Sequence, residues 1–441
     1  MSTHQRKAYA RDVAWLVGTV CVGVAVLYAT LFIDLRLGLA LVLALFGVIS
    51  LTLSTTVRHS LGYAAGALLI IAASSTAISS LEGASVISVA LRIVGFGVIV
   101  LLASRPRPER PIDAVGSHSR KWAYVVGASL GSYFLVGAAF HGQILTFLFY
   151  TAGLGILLIT VVRTEGAADP DLRRGLVLAL SLLVSTSLLY GLAVPSAGFE
   201  NGRLRGFMEN ANTLGFFAYL LGAAALILVR QIRWRAALLA IAVVALVLTA
   251  SRASALALVL VIAILVLRRG VITTIVVLFG SGAAVALAFT VNPALFNPLS
   301  SLLRFNDSRS DSTATAIGAF LTNPLIGVGV GNESSIIASS PFRALAQAGL
   351  VGVAAVVAMW LVLLIEGARR GVAAVALGLS AIVHSVFEGW LLSPVSPLLG
   401  VFLLLWIAVR TDARPKPIGA RATSRYGDES RITSTRQGAP R

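Results

Sequence analysis

Acidic residues are scarce in this chain. It holds 18 Asp and Glu against 35 Lys and Arg, and charged residues make up only 12% of 441 positions. Soluble domains carry roughly 25% charged residues, so this composition argues against a soluble globular fold. Cysteine is almost absent. The one thiol, Cys21, lies inside an apolar block, which rules out an intrachain disulfide and a cysteine-ligated metal site. The first apolar block, 13–33, is too long for a removable leader and lacks a small-residue cleavage site, so it is expected to be the first membrane helix. No internal repeat is visible.

What the chain does have is apolar. Hydrophobic residues reach 57% and recur in blocks of about 15–20 residues, the length that crosses ~30 Å of hydrocarbon. The pattern predicts an all-α polytopic membrane protein. About fourteen transmembrane helices are placed near 13–33, 37–53, 61–80, 84–103, 122–140, 144–162, 175–194, 213–229, 236–250, 253–267, 271–290, 344–365, 371–388 and 395–410. The net charge of +17 could suit a nucleic acid, but the basic residues sit in short loops and in the tail, not on one amphipathic face. That is the positive-inside pattern of a bilayer protein with no nucleic-acid partner. Counting from a cytoplasmic segment 1–12, the alternation puts Arg58, the "SRPRPERP" loop, Arg163, Arg173, Arg174, "RQIRWR", Arg268, Arg269, Arg369 and Arg370 all inside. Both termini are then cytoplasmic, 13–410 is the transmembrane domain of a multi-pass protein of the cell membrane, and 411–441 is a basic tail with too little apolar surface to fold.

This orientation leaves few cations outside: Arg36, Arg203, Arg205, Arg252, Arg304, Arg309 and Arg343, with Arg92 inside a helix. Two of them sit in "GRLRGFMENANTLG", 202–215, where Arg203, Arg205, Glu209, Asn210 and Asn212 precede an apolar helix. "LTASRASALAL", 248–258, places Ser251 and Arg252 at the outer end of a tight helical hairpin. A snorkelling arginine would account for Arg252 without any function. The longest external segment, 291–343, holds "LTNPLIGVGVGNESS". Its glycines lack the preceding strand and following helix of a phosphate loop, and read better as tight turns and close packing. His384 and Glu388, four apart, share a helix face. Two ligands are too few for a metal site, so they read as a hydrogen-bonded polar pair, with support of catalysis as the alternative.

Several arginines without a metal cluster or a nucleophile motif point to a phosphate or diphosphate ligand. Guanidinium offers a planar fork to phosphate oxygens and keeps its charge at any relevant pH. The residues nominated for such a site are Arg203, Arg205, Arg252 and Arg343, with Asn210, Asn212, Ser251, His384 and Glu388 beside them. At a membrane rim the natural ligand is a lipid diphosphate, whose apolar tail arrives sideways through the bilayer.

These stretches carry a resemblance. In "GRLRGFMENANTLG" the chain resembles the Arg–x–x–Gly and Asn–Pro–Asn segment of the O-antigen ligase and O-antigen polymerase family, with Ala211 in place of Pro. "LTASRASALALVL" is similar to the family's Ser–Arg–Gly helix start, with Ala253 for Gly. "LTNPLIGVGVGN" and "RALAQAGLVG" look like its Gly-rich loop and its Leu–x–x–x–Gly–x–x–Gly helix, and order and spacing agree over about 200–365. The resemblance implies an enzyme without cofactor, metal or nucleotide. It would take a glycan from a polyprenyl-diphosphate carrier and transfer it to a glycan or lipid-glycan acceptor at the outer face of the cytoplasmic membrane. Arg203 and Arg252 would be the two diphosphate-binding arginines. Ligases of the family carry a histidine about eleven residues before the glycine that is Gly349 here; this chain has Ala338 there and no histidine in the loop. Glu333, first, and Glu209, second, are the carboxylates that could take a general base's place.

Two other classes remain open at this stage: a transporter or flippase of lipid-linked glycans, and a non-catalytic scaffold of envelope assembly. Transporters favour ionisable residues near the midplane, whereas the polar weight of this chain lies at the rim. The topology is testable once Cys21 is replaced. Single cysteines in 104–121 and 420–441 should resist a membrane-impermeant thiol reagent, while position 200 and positions 300–340 should react. A tail labelled from outside would overturn the arrangement.

Overall fold

A computed structural model describes residues 55–76, 84–104, 121–167, 170–267, 309–333 and 337–409. The expected helices at 13–33, 37–53 and 271–290, the segments 1–12 and 411–441, and most of loop 104–121 lie outside the described residues. The described chain is mostly helical. In order it forms α1 (Thr55–Ala72), α2 (Ala84–Ser104), α3 (Lys121–Gly137), α4 (Ile144–Ala167), α5 (Pro170–Ala193), a small hairpin of β1 (Phe199–Glu200) and β2 (Arg203–Leu204), then α6 (Ala211–Leu228), α7 (Ile232–Thr249), α8 (Arg252–Leu267), α9 (Arg309–Thr322), α10 (Ser340–Arg370), α11 (Val372–Phe387) and α12 (Pro397–Val409). Seven of these helices, α2 to α7 and α10, are long and apolar enough to cross a membrane. The protein is therefore multi-pass in a lipid bilayer.

Two helices form the centre. Beyond its first turn α6 is apolar on almost every side, "ANTLGFFAYLLGAAALIL", and so is α12, "PLLGVFLLLWIAV". A helix without a polar face is stable only when surrounded. Phe216, Phe217, Tyr219, Phe402 and Trp406 accordingly lie at the middle of the core. α7, α8 and α5 pack around α6, and α1, α4, α5 and α11 touch α12. The outer helices instead present apolar side chains outward. Leu101 of α2 and Leu145 of α4 are 69% and 84% exposed, which an aqueous surface would not favour and hydrocarbon does.

Charge is sorted to the two poles. At one pole Arg370, 2% exposed, bridges Glu165 at 3.2 Å and Glu366 at 3.3 Å. Its guanidinium lies over the Trp122 and Trp406 rings, and the Trp122 indole N–H donates to Glu165. Close by along the same pole, Ser60 donates to Asp171. At the other pole lie Arg203, Arg252, Arg343 and Glu388.

Three elements differ from the sequence expectation. The helix expected at 61–80 runs Thr55–Ala72. Its continuation is held away by the 205–209 loop, where Thr76 donates to Phe207 and Glu209 to Ser74 through the backbone. The helix expected at 344–365 extends to Ser340–Arg370, opening with Pro341, whose missing N–H is harmless in a first turn. The external segment 291–343 contains a helix, α9, at Arg309–Thr322.

α10 is broken within its length. Ala348 and Gly349 leave helical geometry, and Gly349 has φ 58°. A Cβ there would also meet the Pro324 carbonyl oxygen at 2.4 Å. Gly349→Ala is therefore expected to cost about 1–3 kcal/mol of stability. Gly97→Ala, a helical site with open space around it, should stay within about 0.5 kcal/mol. Thermal unfolding midpoints of the two variants in detergent make the comparison, and equal midpoints would refute the strain.

Candidate functional site

The hairpin that carries Arg203 is set by its turn. Asn201 and Gly202 have φ 49° and 73°, so the two residues adopt the left-handed conformations of a tight Asn-Gly hairpin loop. Phe199 then pairs with Leu204 and Glu200 with Arg203. The guanidinium of Arg203 reaches across to the α7–α8 turn. Its Nε donates to the Thr249 carbonyl at 2.9 Å and one terminal nitrogen to the Asn212 side-chain oxygen at 2.5 Å. Arg205 donates from Nε to the Ala197 carbonyl at 3.1 Å, which ties it to the same loop.

The α7–α8 turn is short. Ala250 closes α7 in the left-handed conformation, φ 47°, and α8 begins at Arg252. The turn rests on Gly215 of α6, where a Cβ would meet Ser251 Cβ at 2.4 Å. The turn expected from "LTASRASALAL" is present, with Arg252 exposed at its tip, but α7 and α8 pack against α6 rather than against each other as a tight hairpin. Because Arg203 binds the carbonyl three residues before Arg252, the two arginines belong to one end of one turn. Ser251 is buried and donates to Ser254, so it serves the turn rather than the surface.

Asn210 and Asn212 divide their work. The Asn210 oxygen caps α6, accepting from the Thr213 backbone N–H at 2.8 Å. This is the ordinary use of Asn before a helix. Asn212 is a relay: its oxygen accepts from Arg203 and its amide donates to Glu388 Oε1 at 3.0 Å.

His384 and Glu388 share α11 but point to different partners. Trp390 donates its indole N–H to His384 Nδ1 at 2.9 Å, and His384 Nε2 lies 3.0 Å from Ser254 Oγ. An indole can only donate, so Nδ1 accepts and the ring proton of the neutral imidazole sits on Nε2, facing Ser254. His384 is 1% exposed and fastens α8 to α11. Glu388 is the C-cap of α11 with extended backbone, φ −135°, which swings its carboxylate toward α6.

The glycine-rich segment meets the break in α10. Leu350 N–H donates to the Pro324 carbonyl, while Val328 and Gly329 N–H groups donate to the Ala346 and Gln347 carbonyls that the break has released. Val330 N–H donates to Gly137 at the end of α3. Gly327 and Gly329, φ 69° and 95°, allow this approach, since a Cβ on Gly327 would stand 2.5 Å from the Ala346 carbonyl oxygen. The expectation of tight turns and close packing holds. The break turns Gln347 toward Glu333, to whose Oε1 it donates at 2.6 Å, and the Tyr133 hydroxyl donates to the Gln347 oxygen. Glu333 Oε2 is buried without a hydrogen-bond partner among the described residues. One turn before Gln347, Arg343 donates to the Ile337 and Gly389 carbonyls at 2.9 and 3.3 Å. Ser340 donates to the Glu388 carbonyl at 2.7 Å.

All the nominated residues thus lie at one pole. Arg203, Asn212 and Glu388 are linked directly, Arg252 adjoins them, and Arg343 joins Glu388's neighbour Gly389 to the Gln347–Glu333 side. Glu209 is exposed on the loop beside α1. The sequence reading passed over Tyr133, Gln347, Ser254 and Trp390. It also passed over His141, which reaches the Gly327 carbonyl at 3.1 Å from the α3–α4 turn and so brings a histidine to a loop that has none of its own. No family model matches the chain, and no curated protein matches it.

The Arg203–Asn212–Glu388 relay can be tested by a double-mutant cycle. Asn212→Ala and Glu388→Gln should be coupled by about 0.5–3 kcal/mol in unfolding stability. Additive effects would mean that the relay carries no energy.

Proposed function

We propose that this protein is a membrane glycosyltransferase of the O-antigen ligase or polymerase type. It moves a glycan from a polyprenyl-diphosphate carrier to a glycan or lipid-glycan acceptor at the outer face of the cell membrane. The chain has about fourteen spans in this reading, with both ends in the cytoplasm. One observation carries it. At one rim of an apolar bundle, Arg203 and the Arg252 turn meet the Asn212–Glu388 relay, with Glu333 held by Gln347 on the same rim. The motifs of the resemblance also support it, because the glycine-rich segment and the 343–352 segment interlock as one structural unit.

The reaction follows from these roles. The carrier's diphosphate lies against Arg203 and Arg252, whose charges favour the state in which negative charge grows on the leaving oxygen. The acceptor hydroxyl oxygen forms a bond to the anomeric carbon as that carbon's bond to the diphosphate oxygen breaks. The electron pair leaves with the polyprenyl diphosphate. The hydroxyl proton passes to Glu333, whose Oε1 is fixed by Gln347 and whose Oε2 is left to accept it. Asn212 holds the Arg203 fork in orientation, with Glu388 holding Asn212 in turn.

Purified protein, a carrier-linked glycan and an acceptor suffice for the test. Glu333→Gln should lower transfer by about 10²–10⁴-fold, the usual contribution of general-base catalysis, with carrier binding unchanged. Arg203→Lys and Arg252→Lys should each weaken carrier binding and transfer, since lysine keeps the charge and loses the fork. Full activity in both Glu333→Gln and Glu209→Gln would remove carboxylate base catalysis. A wild-type protein that binds the carrier and transfers nothing would belong to envelope assembly without catalysis.

A further inference from the structure

An apolar groove of about 120 Å³ opens between α2 and α4. Its walls are Val89, Ile93 and Phe96 of α2 and Phe149, Ala152 and Ile156 of α4. Pro394 and Val395 roof it, in the loop that leads on from Glu388. The wall helices face hydrocarbon: Ile93 and Phe149 are 48% and 42% exposed. One cation breaks this lining. Arg92 enters the groove six residues after the span begins at Val86, about 9 Å along the helix axis.

Arg92 is held and still incomplete. One terminal nitrogen donates to the Val395 carbonyl at 2.7 Å and the other to Ser88 Oγ at 2.8 Å. Its Nε is buried with no hydrogen-bond partner among the described residues. Glu209 is an acidic side chain whose charge acts on it. A merely snorkelling arginine would carry its head to water; this one is turned into the groove roof. Ionisable residues at this depth face a polar ligand or cavity rather than lipid. The head of the groove also adjoins the polar site. Ser88 donates to the Ala73 carbonyl, and the next residues of α1's end pair with Phe207 and Glu209.

We propose that this groove binds the first isoprene units of the polyprenyl carrier, with Arg92 receiving a phosphate oxygen where the chain joins the head group. The inference rests on the lipid-diphosphate reading of the site. It assigns the direction from which the carrier enters, sideways between α2 and α4, and makes Arg92 a binding residue. Charge and shape agree on the occupant: an apolar trough broken only by a cation with an unsatisfied donor fits an anionic lipid whose chain runs on into the bilayer.

The experiment uses the full chain in phosphatidylcholine nanodiscs with a benzophenone residue at position 149 and added sugar-free polyprenyl phosphate. Illumination should give a protein–polyprenyl phosphate adduct. Arg92→Gln should lower its yield at limiting lipid by about tenfold, the loss of one charge-assisted hydrogen bond. Ala152→Trp, which fills the trough, should raise the KM for a long-chain donor by about tenfold with kcat unchanged, and leave a short-chain, tail-free donor unaffected. Should Ala152→Trp fail to fold, Arg92→Gln carries the test alone. Phosphatidylcholine adducts in the same yield with or without polyprenyl phosphate would overturn the proposal. So would a wild-type KM for the long-chain donor in folded Ala152→Trp, even with transfer intact. Adduct formation by a protein that never transfers glycan would keep the groove and remove the transferase.

Discussion

A helix buried among other helices can be interrupted only if the amides and carbonyls it releases find new partners, because hydrocarbon offers none. The site depends on how α10 meets that constraint. Around the break the Ala346 and Gln347 carbonyls and the Leu350 amide find new partners in Val328, Gly329 and Pro324. The exchange needs glycine on both sides, Gly349 in the helix and Gly327 and Gly329 in the segment. It also fixes everything around it. Gln347 is turned out of the helix line toward Glu333, Arg343 stays on the turn before the break, and Ser340 is pinned to the end of α11.

The two poles treat arginine differently. Arg370 sits between two carboxylates and two indole rings, a fully enclosed arrangement that fastens α3, α4, α10 and α12. At the opposite pole Arg205 and Arg343 donate to backbone carbonyls, and Arg203 donates to a carbonyl and an amide oxygen. The first arrangement holds helices together, and the second fixes arginine side chains against the backbone of the rim loops.

The bundle was legible because lipid imposes a length and a polarity on each span, which composition alone displays. Arg203 and Arg252 were legible as polar text inside apolar text, and the α7–α8 turn followed from two short apolar blocks around Ser251. Other features needed the fold. The hairpin at 199–204 had a local signal, Asn201–Gly202, that the membrane pattern overshadowed. The break at Gly349 had none, since "RALAQAGLVG" reads equally well as continuous helix and its left-handed glycine is required only once Pro324 is opposite. Gln347 and Tyr133 lie 214 positions apart, beyond any spacing rule. His384 and Glu388 followed the four-residue rule in sequence and departed from it in space, because the helix ends at Phe387 and Glu388 turns away.

The enclosed arginine also gives the bundle an order of assembly. Glu165 and Trp122 are made early and lie close together, while Arg370 follows Glu165 by 205 residues. Until α10 is synthesised and docked, the Glu165 carboxylate lacks its Arg370 partner and keeps the indole N–H of Trp122. The cluster can therefore close only after α10 is made, although its first two members come from α3 and α4.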